Sequence, residues 1–167
     1  MELAVAGHRC HLATAGECFA AGEAGSPPLL LIHGAAHDCD AWRQVAGGLA
    51  AAGCALLIPD LPGHGLSAGP PLRSIEALAD WLPALLDAAG IAQAVLVGHS
   101  MGSLVTLECA ARHPQRVSRL ALLGCSVPMP VADALLSRAE THPDSVRRLI
   151  TEYSLTRQFQ LAGGSGH

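Results

Sequence analysis

From residue 27 onward, short continuous apolar runs alternate with longer stretches whose apolar positions recur every three or four residues. The first pattern marks strands buried on both faces, and the second marks helices with one buried stripe. Residues 29–32, 54–58, 94–97 and 117–125 are the expected buried strands. Between them, 42–52 predicts a helix stopped by Gly53. Ile75, Leu78, Ala79, Leu82, Leu85 and Leu86 fall on one face of another, with Ser74 as N-cap, Gly90 as stop and Pro83 expected to kink it. A nearly all-apolar helix over 101–112, closed by His113 and Pro114, is expected to be interior on most sides. Residues 5–14 around Gly7 predict a short hairpin, and 22–28 and 61–71 predict Gly/Pro-rich loops. Two more polar amphipathic helices, 131–140 and 145–153, stand outside the alternation. The pattern predicts an α/β protein of three layers, αβα, with a mostly parallel, doubly wound sheet. It divides into a core over 1–126 and a helical segment over 127–167.

Composition narrows the function classes. The chain has 167 residues, half of them hydrophobic and 14% charged, with mean hydropathy +0.35, which excludes intrinsic disorder. Its formal charge is −4, and all ten cations are arginines scattered without a cluster, so no nucleic-acid partner is expected. No apolar run approaches the roughly eighteen residues that cross a membrane. The first ten residues carry no basic start or apolar signal stretch, and the expected location is cytoplasmic. The six cysteines show no C-x-x-C or other metal spacing and read as small buried hydrophobes. No metal and no cofactor are expected.

The chemistry concentrates at Gly98-His99-Ser100-Met101-Gly102, a G-x-S-x-G sequence. An aliphatic strand feeds it and a buried-helix pattern leaves it, the strand-turn-helix setting of a nucleophile elbow. There a serine stands on a strained turn, and glycines at the flanking positions let strand and helix approach closely. Ser100 would project at a helix N-terminus, where the dipole and free N–H groups favour developing negative charge. One strand earlier, 29–32 runs into His33-Gly34-Ala35-Ala36. A tetrahedral intermediate needs two N–H donors, and the Met101 and Ala35 amides are the candidates, with Gly34 expected to supply unusual backbone angles.

Leu30-Leu31-Ile32-His33-Gly34, Pro59-Asp60-Leu61-Pro62-Gly63-His64-Gly65 and Gly98-His99-Ser100-Met101-Gly102, in this order and separation, resemble the α/β-hydrolase fold superfamily over residues 1–125. The resemblance implies Ser100 as nucleophile and the Ala35 and Met101 amides as oxyanion hole. It implies support of elbow and loop from His33, Gly34, Gly98, His99 and Gly102, and 60–65 as a structural loop near the pocket. It also implies that 131 onward begins a helical cap. In that family the acid and histidine of the triad follow the cap, and only 67 residues follow Ser100. Of the histidines present, His113 lies about 20 Å along the helix from Ser100, and His142 with Asp133 would fall on opposite faces of one helix. His99 points away from the hydroxyl, and His167 ends a Gly-rich tail. His33 and His64 remain on loops that could face the pocket.

The expectation is therefore a serine hydrolase of a small-molecule ester or related acyl substrate, on a fold incomplete at its C-terminal side and impaired by a missing base. The chain would be a truncated product, a partial reading frame or a degraded copy. It would self-associate through an exposed edge strand at 117–125. The alternatives are a catalytically silent small-ligand-binding module or inert fragment of the same fold, and C–C cleavage, acyl transfer or perhydrolysis through the same elbow.

Overall fold

The computed structural model describes residues 1–16 and 26–154; residues 22–25 of the expected loop, Cys18 and His167 lie outside them. By contacts it divides into two units, 1–127 and 128–167. In the first, strands β1 (Glu2–Val5) and β2 (His8–Ala15) form an antiparallel hairpin. Its two-residue turn places both Ala6 and Gly7 at positive φ, 48° and 81°, as the right-handed twist of such hairpins requires.

Strand β3 (Leu29–Ile32) leads through a short 3-10 turn, Cys39–Trp42, into α1 (Arg43–Ala51). There follow β4 (Leu56–Pro59), α2 (Ile75–Ala88), β5 (Ala94–His99), α3 (Met101–Arg112) and β6 (Val117–Leu123). The six strands lie in the order β1-β2-β4-β3-β5-β6. The hairpin joins β4 antiparallel, and β4, β3, β5 and β6 run parallel.

Side-chain alternation sorts the strand residues into two cores. Leu12, Leu30, Ile32, Leu57 and Leu96 face α2 and α3 with Leu82, Leu85 and Val105. Leu31, Leu56 and Ile58 face the other way, toward Trp42, Ala46 and Leu49. A sheet buried on both faces explains why β3 and β4 read as unbroken apolar runs. Helix α2 starts where its cap predicts, with the Ala77 N–H donating to Ser74 Oγ at 3.1 Å. It continues through Pro83 and ends before Gly90 at φ 69°.

Two expectations fail on burial. Helix α3 is buried along one stripe only, Gly102, Ser103, Val105, Thr106 and Cys109, while Leu107 is 39% exposed. Small residues let that stripe seat deeply against the sheet and leave the far side to solvent. The expectation of a buried strand at 117–125 fails while that of an exposed edge there holds, because β6 is the outermost strand of this sheet. With one neighbour, β6 leaves Leu120 and Leu123 41% and 45% exposed.

The second unit holds α4 (Asp133–Thr141) and α5 (Pro143–Ser154). They separate at His142 because a residue before proline avoids the helical region. The placement of His142 and Asp133 on one continuous helix therefore does not hold. No helix among the described residues is long and apolar enough to cross a membrane.

Helices α2 and α3 are also clasped at the surface. Arg112 donates twice to Asp80, at 2.8 and 2.7 Å, and His113 Nε2 meets the same carboxylate at 2.7 Å. These partners, Arg112 first, hold the Asp80 carboxyl down at about 2 against its ordinary 3.8. A depressed carboxyl stabilises the fold above its unfolded value and loses that contribution as pH falls through its folded value. Asp80→Asn should therefore lower the Tm at neutral pH, and the difference from the parent should close as pH falls from 3.8 toward 2 in thermal melts monitored by circular dichroism.

Candidate active site

The chain leaves β3 for β4 on one side and returns to place β5 on the other. The carboxyl ends of β3 and β5 thus flank the point where strand order reverses, which is where open α/β sheets hold ligands. Their register pairs Ile32 with Gly98. The loop after β3 therefore starts beside the turn after β5, and the nominated residues of both segments meet there.

Ser100 occupies that turn at φ 53° and ψ −121°, a left-handed conformation that costs a non-glycine residue roughly 1–3 kcal/mol. The flanking glycines answer a different need. A Cβ on Gly98 would sit 2.1 Å from the Gly102 carbonyl oxygen, and one on Gly102 would sit 2.3 Å from the Ile32 carbonyl oxygen. Strand, turn, helix and neighbouring strand thus touch backbone to backbone. The turn is tied down by the Ser100 N–H donating to the Leu123 carbonyl at 2.9 Å. The Ser103 hydroxyl and N–H both donate to the Ser100 carbonyl, at 2.5 and 2.8 Å.

Gly34 lies against the serine: a Cβ there would be 3.2 Å from Ser100 Cβ and 3.4 Å from His99 Nδ1. Its role is this contact. The unusual backbone angle expected at Gly34 falls instead on Ala36, at φ 59°. Among the described residues, neither the Ala35 nor the Met101 N–H has a protein acceptor. Met101 is the first residue of α3, so its N–H is one of the helix donors that find no partner within the helix.

The histidines are mostly committed elsewhere. His33 is fully buried. Its Nε2 accepts from the Leu61 N–H at 3.1 Å, so Nδ1 carries the proton given to the Gly34 carbonyl at 2.8 Å. Burial, above all, pulls its pKa from 6.5 to about 4, which keeps it neutral and fixes it as a brace between two loops. His64 Nδ1 lies 3.1 Å from the Pro62 carbonyl, and its ring packs 5.1 Å from His33. His99 meets the ring of His37 edge-on at 6.3 Å, and burial with that neighbour lowers its pKa. His113 is bound to Asp80 at the far end of α3. Among the described residues, no histidine is hydrogen-bonded to Ser100 Oγ.

Beneath the site lies a support that residue spacing does not reveal. Asp60, at the end of β4, is buried. It accepts from the Cys39 and Leu66 N–H groups, each at 2.8 Å, and meets His11 Nδ1 at 3.1 Å. Burial alone would raise this carboxyl, but the Leu66, Cys39 and His11 donors together hold it below its ordinary range. Gly65 is required beside it, because a Cβ there would reach to 2.2 Å from the carboxylate. Burial, above all, and then Asp60 push the Cys39 thiol up to about 12, so it is no nucleophile as it stands. The only sequence signal for this support was the Pro-Asp opening of a Gly-rich loop. A cavity of about 250 Å³ lined by Val5, Cys10, Pro62, Leu72 and Trp81 includes none of the nominated site residues.

The family model described as alpha/beta hydrolase fold matches residues 27–162. The chain is 34% identical to 2-hydroxymuconate semialdehyde hydrolase of Pseudomonas sp. (strain CF600), over 95% of its own length and 56% of that protein's. It is 42% identical to pimeloyl-[acyl-carrier protein] methyl ester esterase of Aromatoleum aromaticum, over 60% of this chain and 38% of that one. Among solved structures, epoxide hydrolase A from Mycobacterium thermoresistibile superposes with TM-score 0.64 at 32% identity, covering 73% of this chain and 37% of that one. The chain belongs to the α/β-hydrolase fold family. It spans about half, or less, of the length of these relatives.

Two measurements test the geometry. Gly102→Ala must displace backbone and should destabilise by several kcal/mol, whereas Ser100→Gly should stabilise by about 1–3 kcal/mol by releasing strain; urea unfolding reads both. The unfolded chain protonates His33 near 6.5 while the folded chain resists until about 4. Stability should therefore be full above 6.5 and fall toward pH 4, by up to about 3 kcal/mol. His33→Gln should flatten that limb in urea midpoints taken at pH 7.5 and 5.

Proposed function

We propose that the protein is a serine hydrolase of ester or related acyl substrates, with Ser100 as nucleophile and the Ala35 and Met101 N–H groups as oxyanion donors. The supporting observation is the strained Ser100 turn seated against Gly34, with the Ala35 and Met101 N–H groups of the two meeting segments free of any acceptor among the described residues. Acyl attack places negative charge on the former carbonyl oxygen, and two preoriented amides stabilise it without reorganisation. Strain is rational there because it lifts a hydroxyl out of the β5-to-α3 turn. The esterase relative supports the acyl class.

A second reading, a silent small-ligand-binding module, draws on the absence of a histidine bonded to Ser100 among the described residues. A serine without a base is a weak nucleophile, yet oxyanion donors alone leave a residual rate. On the hydrolase reading, a fluorophosphonate probe should modify Ser100 slowly, on the order of 10⁴-fold or more below a complete triad. Ser100→Ala should abolish the adduct in intact-mass spectra. No adduct at Ser100 after prolonged exposure would leave the binding module standing.

The same reading carries the outer strand. β6 offers unpaired backbone groups and exposed Leu120 and Leu123, and such an edge pairs with another copy of itself. Light scattering after size-exclusion chromatography should show association that grows with concentration and falls in Leu120→Lys; a monomer at every concentration would refute the pairing.

A further inference from the structure

We propose that His11, Cys39 and Asp60 form a three-ligand site for a thiophilic divalent cation, zinc in the first instance, behind the loop that carries Ala35. One donor atom from each residue, His11 Nδ1, Cys39 Sγ and a carboxylate oxygen of Asp60, lies within 4.8 Å of the others. Two of the separations are 3.1 Å, from His11 Nδ1 to Asp60 Oδ2, and 4.0 Å, from Cys39 Sγ to His11 Nδ1. Bonds of about 2.0–2.3 Å at tetrahedral angles need donor separations of roughly 3.2–3.8 Å. These two separations lie within a few tenths of an ångström of that range, and the third, from the thiol to the carboxylate, is no more than 4.8 Å.

The chemistry of the set selects the ion. One thiol, one imidazole and one carboxylate suit zinc and its neighbours, whereas calcium and magnesium want several oxygens. Charge balances on binding. The thiol surrenders its proton to solvent, and the imidazole stays neutral by carrying its hydrogen on Nε2. Thiolate and carboxylate then match the two positive charges.

Asp60 keeps its Cys39 and Leu66 N–H donors as the shell that orients it. Asp60 and Cys39 are buried and His11 is 24% exposed at its side chain, which leaves an approach and a fourth position for water. The ion would fasten β2, the loop after β3 and the end of β4 at one point. These are segments that position Ala35 and His33.

The test uses the untagged chain, stripped with EDTA and titrated with cobalt(II) and zinc(II). Cobalt should bind one-to-one with the near-ultraviolet absorption of a thiolate ligand, zinc should displace it, and zinc should raise the Tm. Cys39→Ser should erase the thiolate band, and His11→Gln should weaken binding by at least about tenfold, as loss of even an outer partner does. The chain has five other cysteines and eight other histidines, so a band and affinity unchanged in both variants would overturn the site. Failure of the parent chain to bind one equivalent would overturn it equally. Circular dichroism confirms that each variant is folded, and if one is not, the other decides.

Discussion

The backbone-to-backbone contact at the end of β3, β5 and the start of α3 is the constraint from which the rest follows. Gly98 and Gly102 leave no room for a methyl group, so α3 begins where β5 ends and lies directly against β3. That closeness leaves the chain one residue in which to reverse, and the residue is Ser100 at φ 53°. The strain is therefore imposed by packing, and the packing is stabilised by two buried apolar layers on either side of the sheet. A local cost of about 1–3 kcal/mol is sustainable because the surrounding structure over-determines the turn. The same contact holds the Met101 N–H at the exposed start of a helix and brings Gly34 beneath the serine.

Opposite the turn, the loop after β3 has no regular structure to hold it and relies on side chains. Neutral His33 links the Gly34 carbonyl to the Leu61 N–H, and Asp60 gathers the Cys39 and Leu66 N–H groups. Each brace spans from this loop to the one after β4. Both are buried, so each hydrogen bond is strong and each would be costly to leave unmade. Acid works against both together, since a buried His33 resists protonation and Asp60 contributes as the anion. The rigidity of the Ala35 segment therefore depends on the proton occupancy of His33 and Asp60, neither of which is bonded to the serine hydroxyl.

Much of this was legible in the residue pattern. Buried strands showed as aliphatic runs, the α2 cap as a serine before a periodic stretch, and the elbow as a G-x-S-x-G between strand and helix. Period-two and period-3.6 patterns are local, and so they can be read locally. An apolar run alone misleads where burial depends on neighbours: β6 carries four aliphatic residues besides Ala121 but is the sheet's outer strand, which the family's strand order anticipated and the run itself did not. The unusual backbone angle expected at Gly34 falls on Ala36, because a glycine can serve either by its angles or by its missing side chain. The His11, Cys39 and Asp60 cluster was invisible, since its members come from three separate segments and share no spacing.

The proposed serine chemistry has two requirements that arise from different physics. On that proposal, electrostatic stabilisation needs only backbone donors in fixed positions, and both candidate donors, the Ala35 and Met101 N–H groups, belong to the β3–β5–α3 junction. Activation of the hydroxyl needs a titratable group at hydrogen-bond distance, and among the described residues no histidine is bonded to Ser100 Oγ: His33 braces two loops, and His113 holds Asp80 at the far end of α3. His33, with both ring nitrogens engaged, has no lone pair to offer a serine proton. The matched segments cover 56% and 38% of two relatives' own length. On the hydrolase reading, oxyanion donors and a proton acceptor are separable requirements, and backbone strain at Ser100 serves the first without the second.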